Sequence, residues 1–362
     1  MYVVGSLGAW TAWFAQDTWW AWLPTREGSS IWRRTSDGWQ RQTQLDGPLQ
    51  GLPGRADVWN DGDTVRAVLV DDHRLAVATL VAQQGETRYA MSERPVVLEL
   101  MDKERGAAIE TATIARDGQR RWWIAYPWNR RMWVRSAFDG PKARWSEPLA
   151  VSGETSDDDL CAVVTMSGQI ALVWSDQAGD AMCFRAHRDD AESNDWGTIE
   201  TIDHGHRTAD DHINAIVDAG GTLYLATKNS VDRVGHTQLV LRVRTPNGQW
   251  QNLPYAIRTE CEEPSRPIAL LSHDPDRLWL LHTLYGRGDR RRPANRIVVQ
   301  SVSTDAVSAT SLQGPARLLI GPIAALNNVT GCKSPLPIGQ PWIMLASDES
   351  GRVYEGRIVP EQ

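Results

Sequence analysis

Short runs of alternating apolar and polar residues, ended by Gly, Asp, Asn or Pro, dominate the chain, and helical periodicity is scarce. Alternation sends successive side chains to opposite faces, so the pattern predicts strands joined by tight turns. Three segments share one layout: DDDLCAVVTMSGQIALVW (157–174), ADDHINAIVDAGGTLYLAT (209–227) and PSRPIALLSHDPDRLWLLH (264–282). Each has a polar entry, an apolar run, a turn of a few residues and a second apolar run. Aligned on Ala162, Ala215 and Ala269, they recur at intervals of about fifty residues, the period of stacked units that bury a face only against a neighbour. For all-β units the closed solution is a propeller.

The whole chain divides on this basis into seven units: 9–46, 56–103, 108–150, 159–203, 212–257, 266–314 and 321–360. The expectation is an all-β, seven-bladed β-propeller of four-stranded antiparallel blades, one domain over 1–362. The second unit is the least regular, and six blades is the alternative. The seventh has three convincing strands, and MYVVG (1–5) is the expected fourth, closing the ring and removing an exposed edge.

A second repeat lies between the third and fourth strands of several units: TSDGW (35–39), SAFDGPKARW (136–145), HRDDAESNDW (187–196) and TPNGQW (245–250). Asp, Asn and Gly suit hairpin tips, and the following Trp is expected to wedge between blades. This resembles the Asp-box of the sialidase-like (BNR-repeat) β-propellers, with Ser136, Asp139, Gly140 and Trp145 as the nearest copy, although its spacing is longer. The resemblance covers the repeat scheme over most of the chain. It implies that the boxes are structural and lie opposite the ligand face. Sialidases use an arginine triad on the substrate carboxylate, a Tyr–Glu nucleophilic couple and an Asp acid. The Arg-Ile-Pro motif near their N-terminus is absent here, and no motif assigns Arg130, Arg266 or Arg287 to such a triad.

Composition narrows the partners. The net charge of −7 points away from nucleic acid and anionic membrane. No apolar run approaches the roughly 18 residues of a membrane span. The N-terminus lacks a signal-peptide pattern, so a cytoplasmic location is the default, with a processed secreted chain equally compatible. The chain has 18 Trp against 3 Phe, and indole either packs between sheets or stacks on ligands. Cys161, Cys183, Cys261 and Cys332 form no CxxC pair; Cys161 and Cys183 read as small buried apolar residues. The basic run at 286–292 reads as a solvated loop.

In a propeller the entries to the innermost strands and the loops joining second and third strands share one face. Entries contribute Glu110, Asp158, Asp159, Asp211, His212, Asn214 and Arg266. The loops contribute Tyr126, Trp128, Arg130, Trp174, Lys228, Tyr285 and Arg287. Asp159, His212 and Arg266 occupy equivalent positions in successive units. A mouth of such unlike groups suits chemistry on a ligand.

Three roles fit. Asp159 with Asp211 or Glu110 would serve as acid and base or nucleophile on a glycosidic bond. His212 or Lys228 would remove a proton α to a uronate carboxylate, with Arg266 neutralising that carboxylate and Tyr285 as acid, in a lyase. Arg266 with Trp128 and Trp174 would bind carboxylate and sugar rings, with Arg130, Asn214 and Arg287 as further contacts. No cofactor is expected. A divalent cation at His204, His206, Asp210, Asp211 and His212 is the less favoured option, because their spacing matches no zinc pattern. The expected function is a carbohydrate-active enzyme, hydrolase or lyase, on an acidic or polyhydroxylated glycan. The alternative is a lectin-like or protein-binding propeller, which would show exposed Trp pockets between many blades.

Overall fold

The computed structural model describes residues 11–26, 28–100, 108–140, 144–272, 276–286, 294–334 and 339–359. Seven antiparallel sheets follow one another along the chain as the blades of a β-propeller: blade 1 (11–41), blade 2 (55–98), blade 3 (113–150), blade 4 (161–204), blade 5 (213–257), blade 6 (262–324) and blade 7 (327–358). No helix among the described residues is long and apolar enough to cross a membrane. Within a blade each strand pairs with the next in sequence, except that Val96–Leu98 of blade 2 pairs back with the third strand. In blade 4, Met166 pairs with Gln169 across a Ser-Gly turn whose Gly168 sits at φ +71°, the left-handed geometry that glycine adopts without a Cβ clash.

First strands of neighbouring blades pack on one another around the axis. They are stitched by a repeated side-chain bond. Asp57 accepts from Ile114 N (2.8 Å), Thr113 from Val163 N (2.9 Å) and Asn214 from Ala269 N (2.9 Å). The apolar core lies in the seams rather than in the middle. Separate clusters fill the seams between blades 2 and 3, 3 and 4, 4 and 5, and 5 and 6, and one large cluster runs through blades 6, 7, 1 and 2. Among the described residues the ring therefore closes by packing.

Each hairpin-tip Trp packs into a seam, as expected. Trp196 sits edge-on to Trp123 of blade 3, Trp250 edge-on to Phe184 of blade 4, and Trp39 donates to Glu355 of blade 7.

Three boundaries differ from the sequence expectation. Blade 6 takes its fourth strand from Arg317–Ala324, residues partly assigned to the seventh unit, because short 3₁₀ turns at 304–306 and 311–313 delay it. Blade 2 is irregular because Tyr89–Met91 and Val96–Leu98 each pair with part of the same third strand. Blade 7 has three strands among the described residues; the MYVVG strand expected to complete it lies outside them.

Candidate functional site

The entry segments of blades 3, 4 and 5 bring Glu110, Asp158 and Asp211 together. One carboxylate oxygen from each lies within 4.8 Å of the others. Burial raises the Glu110 carboxyl above its usual range, and the negative charges of Asp158 and Asp211 add to this. Burial and then Asp211 raise Asp158 in the same way. Glu110 and Asp158 thus hold protons more tightly than isolated acids would.

Behind them, Asp210 organises a second layer. Its oxygens accept from His212 Nδ1 (2.5 Å), Lys228 Nζ (2.8 Å) and Ser230 Oγ (3.0 Å). Burial opposes ionisation of Asp210, but His212 and Lys228 outweigh it and hold the carboxyl well below the usual range. His212 Nδ1 also meets Asp211 Oδ1. Burial works against a charged imidazole, yet the two aspartates raise its pKa above the ordinary 6.5.

The oxygens of the acid cluster are close enough for a divalent ion to bridge. His212, Lys228 and Arg55 (which lowers Glu110) already supply positive charge there. His204 and His206 are exposed and do not join the acids.

On blade 6, Arg266 occupies a β-bulge between Ser265 and Ile268 at φ +54°. Its Nε donates to Tyr285 Oη (2.7 Å), and Tyr285 donates to Asn327 Oδ1 of blade 7 (2.7 Å). Lys333, which follows the first strand of blade 7, bonds Asp57 of blade 2 and the Ile114 carbonyl of blade 3.

Several expected site residues do other work. Asp159 is fully buried and accepts from Ser156 N (2.6 Å), Ser156 Oγ (2.9 Å) and Gln177 N (2.9 Å); it braces the entry turn, and its neighbour Asp158 faces the other acids. Asn214 serves the inter-blade bond to Ala269. Trp128 and Trp174 are buried in the seam clusters and offer no stacking face. Arg130 is exposed, bonding the Thr155 carbonyl (3.0 Å) and pairing with Glu154 (3.2 Å). Lys228 is tied to Asp210. Glu110, Asp211 and His212 belong to the acid cluster and its support, whereas Arg266 and Tyr285 form a separate pair on the next blade. Arg287 lies outside the described residues. Residue spacing did not single out Arg55 or Asn327, and it offered Asp210 only as a candidate cation ligand. The runs of acids at Asp157–Asp159 and Asp210–Asp211 were the available signal, but a run does not reveal which member faces inward.

Comparison with known proteins bears on the fold. No protein-family model matches the chain, and no curated protein is similar to it in sequence. Among solved structures it is similar to an α-L-arabinanase of Penicillium chrysogenum complexed with arabinobiose, at a TM-score of 0.50 and 10% identity over 84% of this chain and 92% of that one. It is similar to a candidate 6-phosphogluconolactonase of Bacteroides uniformis at 0.51 and 14%, over 95% and 97%. The Trypanosoma rangeli sialidase, in complex with sialic acid, aligns at 0.46 and 14% over 82% of this chain and 54% of its own. The class of protein so defined is the seven-bladed β-propeller, a scaffold shared with glycosidases.

Proposed function

We propose that the protein is a glycan-processing enzyme that cleaves a glycosidic bond at the mouth formed by blades 3, 4 and 5. The observation that carries this reading is the convergence of Glu110, Asp158 and Asp211 within 4.8 Å, with Glu110 and Asp158 both raised. A raised carboxyl is the general acid that protonates a leaving oxygen, and a second carboxyl attacks or stabilises the sugar. Glu110 fits the acid role. Asp211, beside His212, fits the second, and Asp158 tunes both. Inverting enzymes leave roughly 6.5–9.5 Å between carboxyls for a water, whereas retaining ones sit about 5 Å apart. The tight cluster therefore favours retention.

The lyase reading is less well served. A general base must be free to take a proton, and His212 and Lys228 are each engaged by Asp210. The lectin reading wants exposed indoles, and no Trp among the described residues is exposed. The arabinanase with this fold was solved with arabinobiose, which is compatible with a glycan ligand but leaves the argument to the carboxylates.

The test is turnover on a panel of neutral and acidic oligosaccharides, followed by NMR of the anomeric proton. Glu110→Gln, Asp158→Asn and Asp211→Asn should each lower the rate at least about 10²-fold while the fold survives. Full activity in all three variants would remove the reading, and an inverted product would remove the retaining mechanism.

A further inference from the structure

Two donors at the mouth are left unused by the carboxylate chemistry. His212 Nδ1 lies between two aspartate oxygens. Ionised carboxylates only accept, so Nδ1 carries a hydrogen. The other ring nitrogen, Nε2, is buried without a partner among the described residues. Arg266, on the adjacent blade, is anchored through Nε by Tyr285, but its Nη1 is buried and equally unpartnered. No carboxylate among the described residues pairs with it.

A buried donor left without an acceptor destabilises the fold, and so does a non-glycine residue held at positive φ. These costs fall together. The Asn214–Ala269 bond ties the two inner strands. Two residues upstream of Asn214 is His212, and just upstream of Ile268 is the Arg266 bulge, so both groups lie at the same end of neighbouring strands. Unsatisfied polar groups and strain that cluster in this way mark ligand sites.

We infer that His212 Nε2 and Arg266 Nη1 form an anion subsite between blades 5 and 6, which holds the carboxylate or sulfate of an acidic sugar. The inference rests on the glycan reading above and names the substrate class. The charged groups facing His212 are Asp210 and Asp211 on its own blade, Lys228 behind Asp210, Glu110 from blade 3 and Asp158 from blade 4; the two aspartates at Nδ1 favour the imidazolium, in which both ring nitrogens donate. An anion at Nε2 supplies the acceptor that this nitrogen lacks, with the planar guanidinium fork as its second donor.

The full chain is titrated calorimetrically with glucuronate, glucose 6-sulfate and glucose. The two anionic sugars should bind at least about tenfold more tightly than glucose, and their order tells carboxylate from sulfate. Arg266→Gln and His212→Gln should each abolish that difference. Tyr285→Phe, which frees the guanidinium but keeps the ring, should reduce it in part. Affinity for the anionic sugars should also fall as pH rises above 6.5, as the imidazolium is lost. Equal binding of all three sugars, or a preference unaltered in Arg266→Gln and Tyr285→Phe, overturns the subsite. If Arg266→Gln fails to fold, Tyr285→Phe and the pH series decide. A chain that prefers glucuronate through Arg266 yet cleaves no glycan upholds the subsite and refutes the cleavage reading alone; cleavage lost in Glu110→Gln with no anionic preference does the reverse.

Discussion

Asp158 and Asp159 are adjacent, chemically identical and opposite in role. Asp159, fully buried, spends both oxygens on Ser156 and Gln177; Asp158 is exposed toward Glu110 and Asp211. Asp159→Ala leaves two backbone N–H groups without an acceptor, so it should cost at least about 2 kcal/mol, read as a lower urea midpoint, with turnover per folded molecule unchanged. Asp158→Asn should do the opposite. Repetition in the sequence located the acidic entry but not which carboxylate faces the mouth, because successive residues at a strand entry point to opposite sides and a run of three Asp carries no mark of parity. His212 was legible as a candidate for a similar reason, by its equivalence to the other entries. Its partner Asp210 was legible only as a candidate cation ligand, since a carboxylate two residues away reads equally well as a turn brace.

At the scale of the strand, the propeller was legible where alternation is clean. Blades 3, 4 and 5 lie within a few residues of the expected units, since each strand carries one buried face and a tight turn at each end. What alternation could not show is the bulge at Arg266. An extra residue in a strand leaves the hydrophobic pattern nearly intact but turns one side chain out of register, and here that side chain is Arg266. The inter-blade stitches were equally hidden. Asp57, Thr113 and Asn214 differ in type, yet each needs only an oxygen at the right height to accept a neighbour's N–H. Asn214 therefore belongs to the frame. Asn214→Leu should expose Ala269 N–H to hydrogen exchange and loosen the inner strand of blade 6, at a cost of about 1–3 kcal/mol. Sugar binding should persist. Unchanged exchange at Ala269 with lost binding would return Asn214 to the ligand site.

Across the whole molecule, one seam differs from the other six. Blades 7 and 1 are distant in sequence, so among the described residues only side chains and packing join them. Trp19 Nε1 donates to the Pro341 carbonyl (3.2 Å), and Glu355 receives Arg34 Nε (2.8 Å), Trp39 Nε1 (3.0 Å) and Arg357 Nε (2.8 Å). The seam between blades 4 and 5 uses the same device: Glu200 receives Arg244 (3.2 Å) and Trp250 Nε1 (3.2 Å). There, however, the chain itself runs from one blade to the next. Losing the clamp at a linked seam leaves the two blades tethered, whereas losing it between blades 7 and 1 lets the ring open as a unit. Glu355→Gln should therefore lower the thermal midpoint more than Glu200→Gln, although each removes a partly buried charge-assisted bond worth about 1.5–3 kcal/mol. Burial opposes ionisation of Glu355, but Arg34, Arg357 and Trp39 hold its carboxyl below the ordinary 4.5. A depressed carboxyl contributes its stability above the ordinary value and loses it as pH falls through the lowered one. The gap between wild type and Glu355→Gln should accordingly be full at neutral pH and close on acidification below 4.5. Equal midpoints for the two variants, or a gap that persists in acid, would show that the apolar cluster through blades 6, 7, 1 and 2 closes the ring without help from the clamp.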